Sequence, residues 1–386
     1  MENDDKVYHD LQKHLDTGPV GYPATQSGVD ISILKRLFTP EEAMIATELS
    51  TIKLEPVKPI YRRVKKSGMD ISIEELQQKL DQMVYKGTVL AYREGYNERK
   101  YKNTGVTAGG IIDFQVNRLT KELIEDFDKY HKERFVQAET TGRIGVPQLR
   151  TIPVEKSIPL PEKYRVSTFD DVRLLVENAP GPLSVANCIC RQTKDLRGKN
   201  CQYSDIRETC LQIGPDHARQ YVDMGIGRYV TKEEAFEILD KAQQAGFILQ
   251  PENSKQPENI CCCCGDCCGL LSAIVNSPRP VDFYATNYYA EVDSELCKGC
   301  GTCVRRCQLK ARAIVNGIAT VDLNRCIGCG NCVVTCEANA SHLRKKEEEL
   351  VPPKDKDTMF MMILSKKTGK WNMLKLRAKM LLGLRV

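Results

Sequence analysis

All eighteen cysteines of this 386-residue chain lie between Cys188 and Cys336, and the 187 residues before them carry none. No other feature limits so strongly what the chain can fold into. Its first residues, MENDDKVYHD, are acidic and polar, so no secretory signal is expected. No run approaches the roughly eighteen apolar residues that a spanning helix needs. The chain is therefore expected in the reducing cytoplasm, where disulfides are rare and clustered thiolates more often hold metal. A 41% hydrophobic and 28% charged composition excludes both a largely disordered and a membrane-embedded protein. The length allows two or three domains with cores of their own.

The spacing of the last eight cysteines is compact and repeated. Cys297-x-x-Cys300-x-x-Cys303-x-x-x-Cys307 recurs as Cys326-x-x-Cys329-x-x-Cys332-x-x-x-Cys336. Two-residue gaps let three thiolates curl around one face of an iron–sulfur cubane, and the fourth cysteine points away to a second cluster. A pair of all-cysteine zinc sites competes with this reading. Zinc ribbons, however, separate two Cys-x-x-Cys pairs by a long loop. The rhythm here favours iron and sulfide.

Residues 286–345 resemble the bacterial-type dicluster ferredoxins on this motif. The resemblance implies two [4Fe–4S] clusters, one on Cys297, Cys300, Cys303 and Cys336, the other on Cys326, Cys329, Cys332 and Cys307. Gly299, Gly301, Gly328 and Gly330 would let the backbone wrap closely and aim N–H groups at cluster sulfurs. One departure is visible. The family usually has proline after the fourth cysteine, where this chain has Gln308 and Glu337.

Ten cysteines lie upstream. Cys188-Ile189-Cys190-Arg191, Cys201 and Cys210 form one group, and Cys261-Cys262-Cys263-Cys264-Gly265-Asp266-Cys267-Cys268 the other. Neighbouring side chains of an extended segment point to opposite faces, so Cys261 and Cys263 are not expected to share a cluster with Cys262 and Cys264. Gly265 permits a turn that returns Cys267 and Cys268. The candidate ligands are Cys188, Cys190, Cys201, Cys210, Cys261, Cys263, Cys264, Cys267 and Cys268, enough for one or two additional Fe–S clusters. The combination looks like a group of ferredoxin-type 4Fe–4S proteins of anaerobic bacteria and archaea. Their similar segments carry asparagine where Cys262 stands and cysteine where Asp266 stands. His217 is a conceivable base or ligand, though a packed or exposed histidine is the plainer expectation. Arg191 is expected either to serve a cluster or a partner's carboxylate, or to be an ordinary surface arginine.

The remaining sequence organises these sites. Capping boxes at Thr39-Pro40-Glu41-Glu42 and Ser72-Ile73-Glu74-Glu75 open helices. A strand over Thr88–Tyr92 and a polar turn with return strand to Lys102 follow, the order of a winged helix within residues 1–140. A longer amphipathic helix is expected on Val116, Leu119, Leu123, Phe127 and Tyr130. Four prolines, Pro147, Pro153, Pro159 and Pro161, mark an extended connector or a domain boundary. The cysteine-rich region spans 141–285, with a helix over Thr168–Asn178 and a strand over Leu183–Cys190. Thr231 to Gly246 echoes Ser72 to Gly87, either as a repeated unit or as a common local motif. Residues 346–386 form a charged linker and a basic tail.

That tail has seven basic and no acidic residues from Lys366 to Arg385, against a net charge of +5 for the whole chain. The rest is therefore close to neutral, and a nucleic-acid partner is not expected on charge. The tail suits contact with anionic lipid, a partner's groove or its own protein. No phosphate-binding glycine loop or catalytic triad stands out. The expected fold is α+β, with a helical winged-helix-like N-terminal half, a central cysteine-rich α/β region and a ferredoxin fold. The expected function is electron transfer within a larger anaerobic oxidoreductase system, with a flavoprotein, ferredoxin or quinone-linked oxidoreductase as redox partner. The expected location is the cytoplasm, including the inner face of the membrane. Two alternatives compete, an oxidoreductase with a catalytic upstream cluster and a redox-sensing DNA-binding regulator.

Overall fold

The computed structural model describes residues 2–93, 98–106, 109–135, 145–158 and 166–381. The chain mixes helix and strand throughout, an α+β protein. It divides into two units, one made of Met1–Glu139, Arg219–Arg228 and Phe360–Val386, the other of Thr140–Ala218 and Tyr229–Met359.

The first unit opens with helices α1 (Glu2–Asp16), α2 (Val29–Leu37) and α3 (Pro40–Thr47). Thr39 and Glu42 close the expected capping box, satisfying backbone donors that the helix itself leaves unpaired. A short strand β1 (Glu55–Pro56) leads into α4 (Val57–Lys66) and α5 (Ile73–Tyr85), the latter capped by Ser72 and Glu75. Strands β2 (Val89–Tyr92) and β3 (Lys100–Asn103) complete an antiparallel sheet in the order β1–β3–β2. The turn expected between the last two falls partly on residues 94–97, outside the described residues.

The long amphipathic helix begins later than its apolar pattern suggests. Helix α6 covers only Lys121–Tyr130, because Asn117 takes a left-handed backbone (φ 64°) and Thr120 caps the next turn. Val116 is buried ahead of it, in a loop after a 3₁₀ turn.

In the second unit the connector bridges Leu149 to Glu252 and Ile152 to Leu249, and then turns through a 3₁₀ helix at Glu155–Ser157. Pro159 and Pro161 lie outside the described residues. The helix expected from Thr168 is split into a 3₁₀ turn and α7 (Val172–Glu177), since Asp171 caps Arg173 and Leu174. Strand β4 is Leu183–Asn187, shorter than expected. Cys188 caps α8 (Ile189–Leu196) instead of continuing the strand.

Strand β5 (Glu208–Ile213), helix α9 (His217–Asp223), strand β6 (Gly227–Val230) and helix α10 (Lys232–Gln244) follow. Then come β7 (Ile248–Pro251) and β8 (Asn259–Cys263), in a sheet ordered β6–β4–β5–β8–β7. The echo between Ser72–Gly87 and Thr231–Gly246 is local. Both helices stop at a left-handed glycine (φ 77° and 78°), but β2 belongs to a three-stranded sheet whereas β7 edges a five-stranded one.

One face of the larger sheet packs Val185, Leu211, Ile260 and Cys262 against Ala235, Leu239 and Ala242 of α10. The other turns Ile248 and Cys263 towards a second core with α11 (Gly269–Ile274), Phe283, Leu309 and Ile327. The cysteine motifs near the C-terminus sit between two antiparallel ladders. Strand β9 (Tyr288–Val292) pairs with β12 (Ser341–Lys345), and β10 (Arg312–Val315) with β11 (Ile318–Val321). Helices α12 (Thr302–Arg306) and α13 (Asn331–Val334) lie one per motif.

The tail is helical, as α14 (Lys356–Thr368) and α15 (Lys370–Leu381), broken at Gly369 (φ 80°). Lys367 donates to Asp16 and Gly18 carbonyls, 2.9 and 3.2 Å away, within the first unit. Met373 is buried, while Trp371 and Leu374 are exposed. Leu382, Leu384 and Arg385 lie outside the described residues. No helix among the described residues is long and apolar enough to cross a membrane.

Candidate metal centres

The two C-terminal motifs are built alike. Gly301 and Gly330, both left-handed (φ 72° and 79°), start α12 and α13, so each third cysteine sits in the first turn of a helix. A side chain on Gly299 would collide with the Gly317 carbonyl, and one on Gly328 with the Tyr288 carbonyl. Backbone therefore presses directly on backbone at both turns.

The hydrogen bonds repeat the same symmetry. The first cysteine of each motif accepts an N–H from a strand, Cys297 from Ala319 at 3.3 Å and Cys326 from Ala290 at 3.4 Å. The fourth accepts from the residue four positions on, Cys307 from Ala311 at 3.2 Å and Cys336 from Ala340 at 3.3 Å.

The charges sort the eight thiols into two neighbourhoods. Cys303 interacts with Cys297, Cys300 and Cys336. Cys329 interacts with Cys332, Cys307 and Cys326, and burial pushes its thiol well up. Burial raises Cys332 to about 11, although the Arg312 guanidinium opposes the shift. Arg312 is buried and donates to the Cys332 Sγ at 2.9 Å. Cys307, Cys326, Cys329 and Cys332 also line one cavity with Ile248, Gln308 and Arg312. Four soft sulfur donors around one space, with N–H and guanidinium donors aimed at the sulfurs, suit an iron–sulfur cluster.

Upstream, the alternation of β8 separates the thiols. Cys261 lies opposite Cys210 on β5 and Gln250 on β7, and Cys263 opposite Ile248. The thiols of Cys188, Cys190, Cys268, Cys263, Cys261 and Cys210 form a contiguous set. Cys190 hydrogen-bonds to both Cys188 and Cys268, and Cys261 to both Cys210 and Cys263. Cys268 is held down to about 5 by hydrogen bonds from Cys190 and then Cys263. Gln212 Nε2 donates to the Cys210 Sγ at 3.0 Å.

The opposite face gathers a different set. Cys264 lies 3.7 Å from Cys201, and Cys267 joins them. Cys262 sits with neither, buried in the apolar core against α10, where loss of solvent raises its thiol to about 12.

Arg191 is no surface residue. It is fully buried, stacks at 3.8 Å over Phe247, and donates to Thr209 Oγ1 at 2.5 Å and the Cys262 carbonyl at 2.7 Å. The groups that raise its pKa are the thiols of Cys188, Cys264, Cys263 and Cys262. A buried cation surrounded by sulfur requires anionic sulfur nearby, which metal-bound thiolates supply. His217 stands apart from the cysteines, buried beside Glu258 and Lys356.

Sequence reasoning passed over Asp266 as a possible ligand and the burial of Arg191. The available signals were an acid inside the Cys264–Cys267 turn and an arginine directly after Cys190. It also read Gln308 only as a lost turn. Its side chain donates to the Gly246 carbonyl at 2.5 Å and accepts from Gly265 N, tying the residue after Cys307 to the upstream cysteine loop.

Residues 290–337 match the family described as the 4Fe-4S dicluster domain. No curated protein and no solved structure matches the chain. Residues 290–337 are thus a ferredoxin-type 4Fe–4S dicluster domain, which occupies a small part of the chain's length.

Proposed function

We propose that this protein is an electron relay, a subunit or partner of a larger anaerobic oxidoreductase system. Cys297, Cys300, Cys303 and Cys336 would hold one [4Fe–4S] cluster, and Cys326, Cys329, Cys332 and Cys307 the second. The six thiols Cys188, Cys190, Cys210, Cys261, Cys263 and Cys268 would hold an additional iron–sulfur site. When bound, each cubane supplies a one-electron carrier.

One observation carries the reading. Cys263 and Cys268 share a single apolar core with Leu309 and Ile327, and Cys329 packs against the same core. The upstream thiols and the second ferredoxin site are thereby separated by side chains rather than by solvent. The chain's own residues fix the spacing, exclude water and place Arg312 and Arg191 where negative charge would accumulate. Bond-making chemistry would belong to a flavoprotein, ferredoxin or quinone-linked partner.

The N-terminal helices and three-stranded sheet are read as a winged-helix module used for protein docking. Four of its basic residues are paired with acids, Arg63 with Glu55, Lys65 with Asp70, Lys79 with Glu41 and Arg99 with Asp81. That pairing leaves little positive surface for a phosphate backbone. The basic tail, with Trp371 and Leu374 exposed beside Lys375, is read as a contact for the inner membrane surface of the cytoplasm.

Iron and acid-labile sulfide per chain, measured on protein purified without oxygen, test the relay. Iron clearly above the eight atoms of two cubanes, with matching sulfide, is expected. Eight or fewer would remove the upstream carrier, and with it the relay.

A further inference from the structure

We propose that Cys201, Cys264, Asp266 and Cys267 bind a single zinc ion, in a tetrahedral site of three sulfurs and one oxygen distinct from every iron–sulfur cluster.

The spacing is that of ligands around one ion. The four ligand atoms all lie within 4.8 Å of one another. Zinc–sulfur bonds of about 2.3 Å at tetrahedral angles place two thiolates about 3.8 Å apart. Cys201 and Cys264 are 3.7 Å apart. With a zinc–oxygen bond of about 2.0 Å, the corresponding sulfur–oxygen edge is about 3.5 Å. Cys201 Sγ and Asp266 Oδ1 are 3.7 Å apart. A cubane seats each thiolate on a different iron and holds its ligands farther apart. Accordingly, among the described residues, no three of the eight ferredoxin cysteines come as close together as this set, and no three of the six other upstream thiols do.

The carboxylate is oriented before any ion arrives. Asp266 Oδ2 accepts from Lys194 Nζ at 2.6 Å and from Gln202 N at 2.8 Å. That leaves Oδ1 as the atom turned to the sulfurs. A ligand whose second oxygen is fixed in this way is set up as a metal carboxylate usually is.

Charge balance points the same way. Three thiolates, one carboxylate and a divalent ion leave two negative charges. Lys194 stands against Asp266, Cys267 and Cys201, and buried Arg191 beside Cys264. Lys194 offsets one of these charges, and Arg191, which also faces Cys188 and Cys263, offsets part of the other. Filled, it would pin the 201 loop to the turn after β8, holding the cysteine layer in place without taking part in electron flow. The inference stands beside the relay and does not depend on iron at the six-thiol site.

The test is metal content and zinc K-edge absorption on the full chain, purified without oxygen in zinc-containing buffer. One zinc per chain is expected, with three sulfurs at about 2.3 Å and one oxygen at about 2.0 Å. Asp266→Asn and Cys264→Ser should each lower zinc at least tenfold and leave iron and sulfide unchanged. Zinc below a tenth per chain overturns the proposal, as does a four-sulfur zinc shell. Loss of iron and sulfide together in Cys264→Ser overturns it in favour of a cluster. The absorption spectrum of the unaltered chain decides even where a variant fails to fold. The iron and sulfide counts judge the relay separately.

Discussion

Ile248 lies directly opposite Cys263 across the β7–β8 ladder and also lines the cavity formed by Cys307, Cys326, Cys329 and Cys332. One aliphatic side chain thus touches both the upstream thiol layer and the second ferredoxin site. In the fully reduced protein, the EPR signals of these two sites should be broadened by mutual magnetic interaction. Two independent, unbroadened signals would show that the two sites are not neighbours across this core. Ile248→Ala should cost about 2–5 kcal/mol of stability in chemical denaturation, because it opens a cavity in a closed core.

Arg312 gives its site an asymmetry that the repeated motif lacks, since it donates a hydrogen bond to Cys332 and acts on Cys303 of the first site by charge alone. Reduction adds negative charge, so a buried cation favours the reduced form. Arg312→Met should lower the potential of the site on Cys326, Cys329, Cys332 and Cys307. The expected drop is roughly 60–130 mV, the equivalent of the 1.5–3 kcal/mol typical of a hydrogen bond to a charged group. Redox titration followed by EPR checks it, and an unchanged potential would assign Arg312 a purely structural role.

Gln308 stands where ferredoxins usually carry proline. Gln308→Pro should leave both ferredoxin signals intact, because no ligand is removed. It should nevertheless lower stability by about 1–3 kcal/mol, since the Gly265 N–H loses its acceptor and the Gly246 carbonyl keeps only Asn331. Upstream iron should also become faster to chelate. A variant indistinguishable in thermal melting and chelation would mean that this amide tie is dispensable.

His217 makes stability pH-dependent. It is fully buried, and loss of solvent, reinforced by the Lys356 charge, lowers its pKa to about 3 despite Glu258. The unfolded chain, with an ordinary pKa near 6.5, takes up the proton first. Stability is therefore full above about pH 6.5 and falls as the pH drops towards 3, by about 1.4 kcal/mol per unit. At pH 5 the wild type should have lost about 2 kcal/mol relative to its own neutral value, a loss absent from His217→Gln. Equal slopes for the two proteins in urea titrations would refute the assignment.

What could be read from the sequence was local. Thr39 and Ser72 cap their helices because four residues suffice to write a capping box. The separation of Cys261 and Cys263 from Cys264 follows from strand alternation alone. The start of α6 was misplaced because a periodic apolar pattern runs through Asn117, whose left-handed backbone no periodicity reveals. Other features depend on pairing between distant segments. Arg191 reaches the Cys262 carbonyl, 71 positions away in sequence, only once β5 and β8 have paired. Asp266 meets Cys201 across 65 positions, and Gln308 meets Gly265 across 43. Such meetings are set by the fold and leave no spacing rule in the chain.

The alternation of β8 ties assembly to register. Its odd-numbered cysteines serve one side of the sheet, while Cys264, just beyond it, serves the other. A slip of one residue against β5 or β7 would exchange the two sides, burying ligands in the core against α10 and turning Cys262 into the second core. A single insertion in this strand would therefore abolish both sites together. Both proposed sites depend on the one register in which β8 pairs with β7.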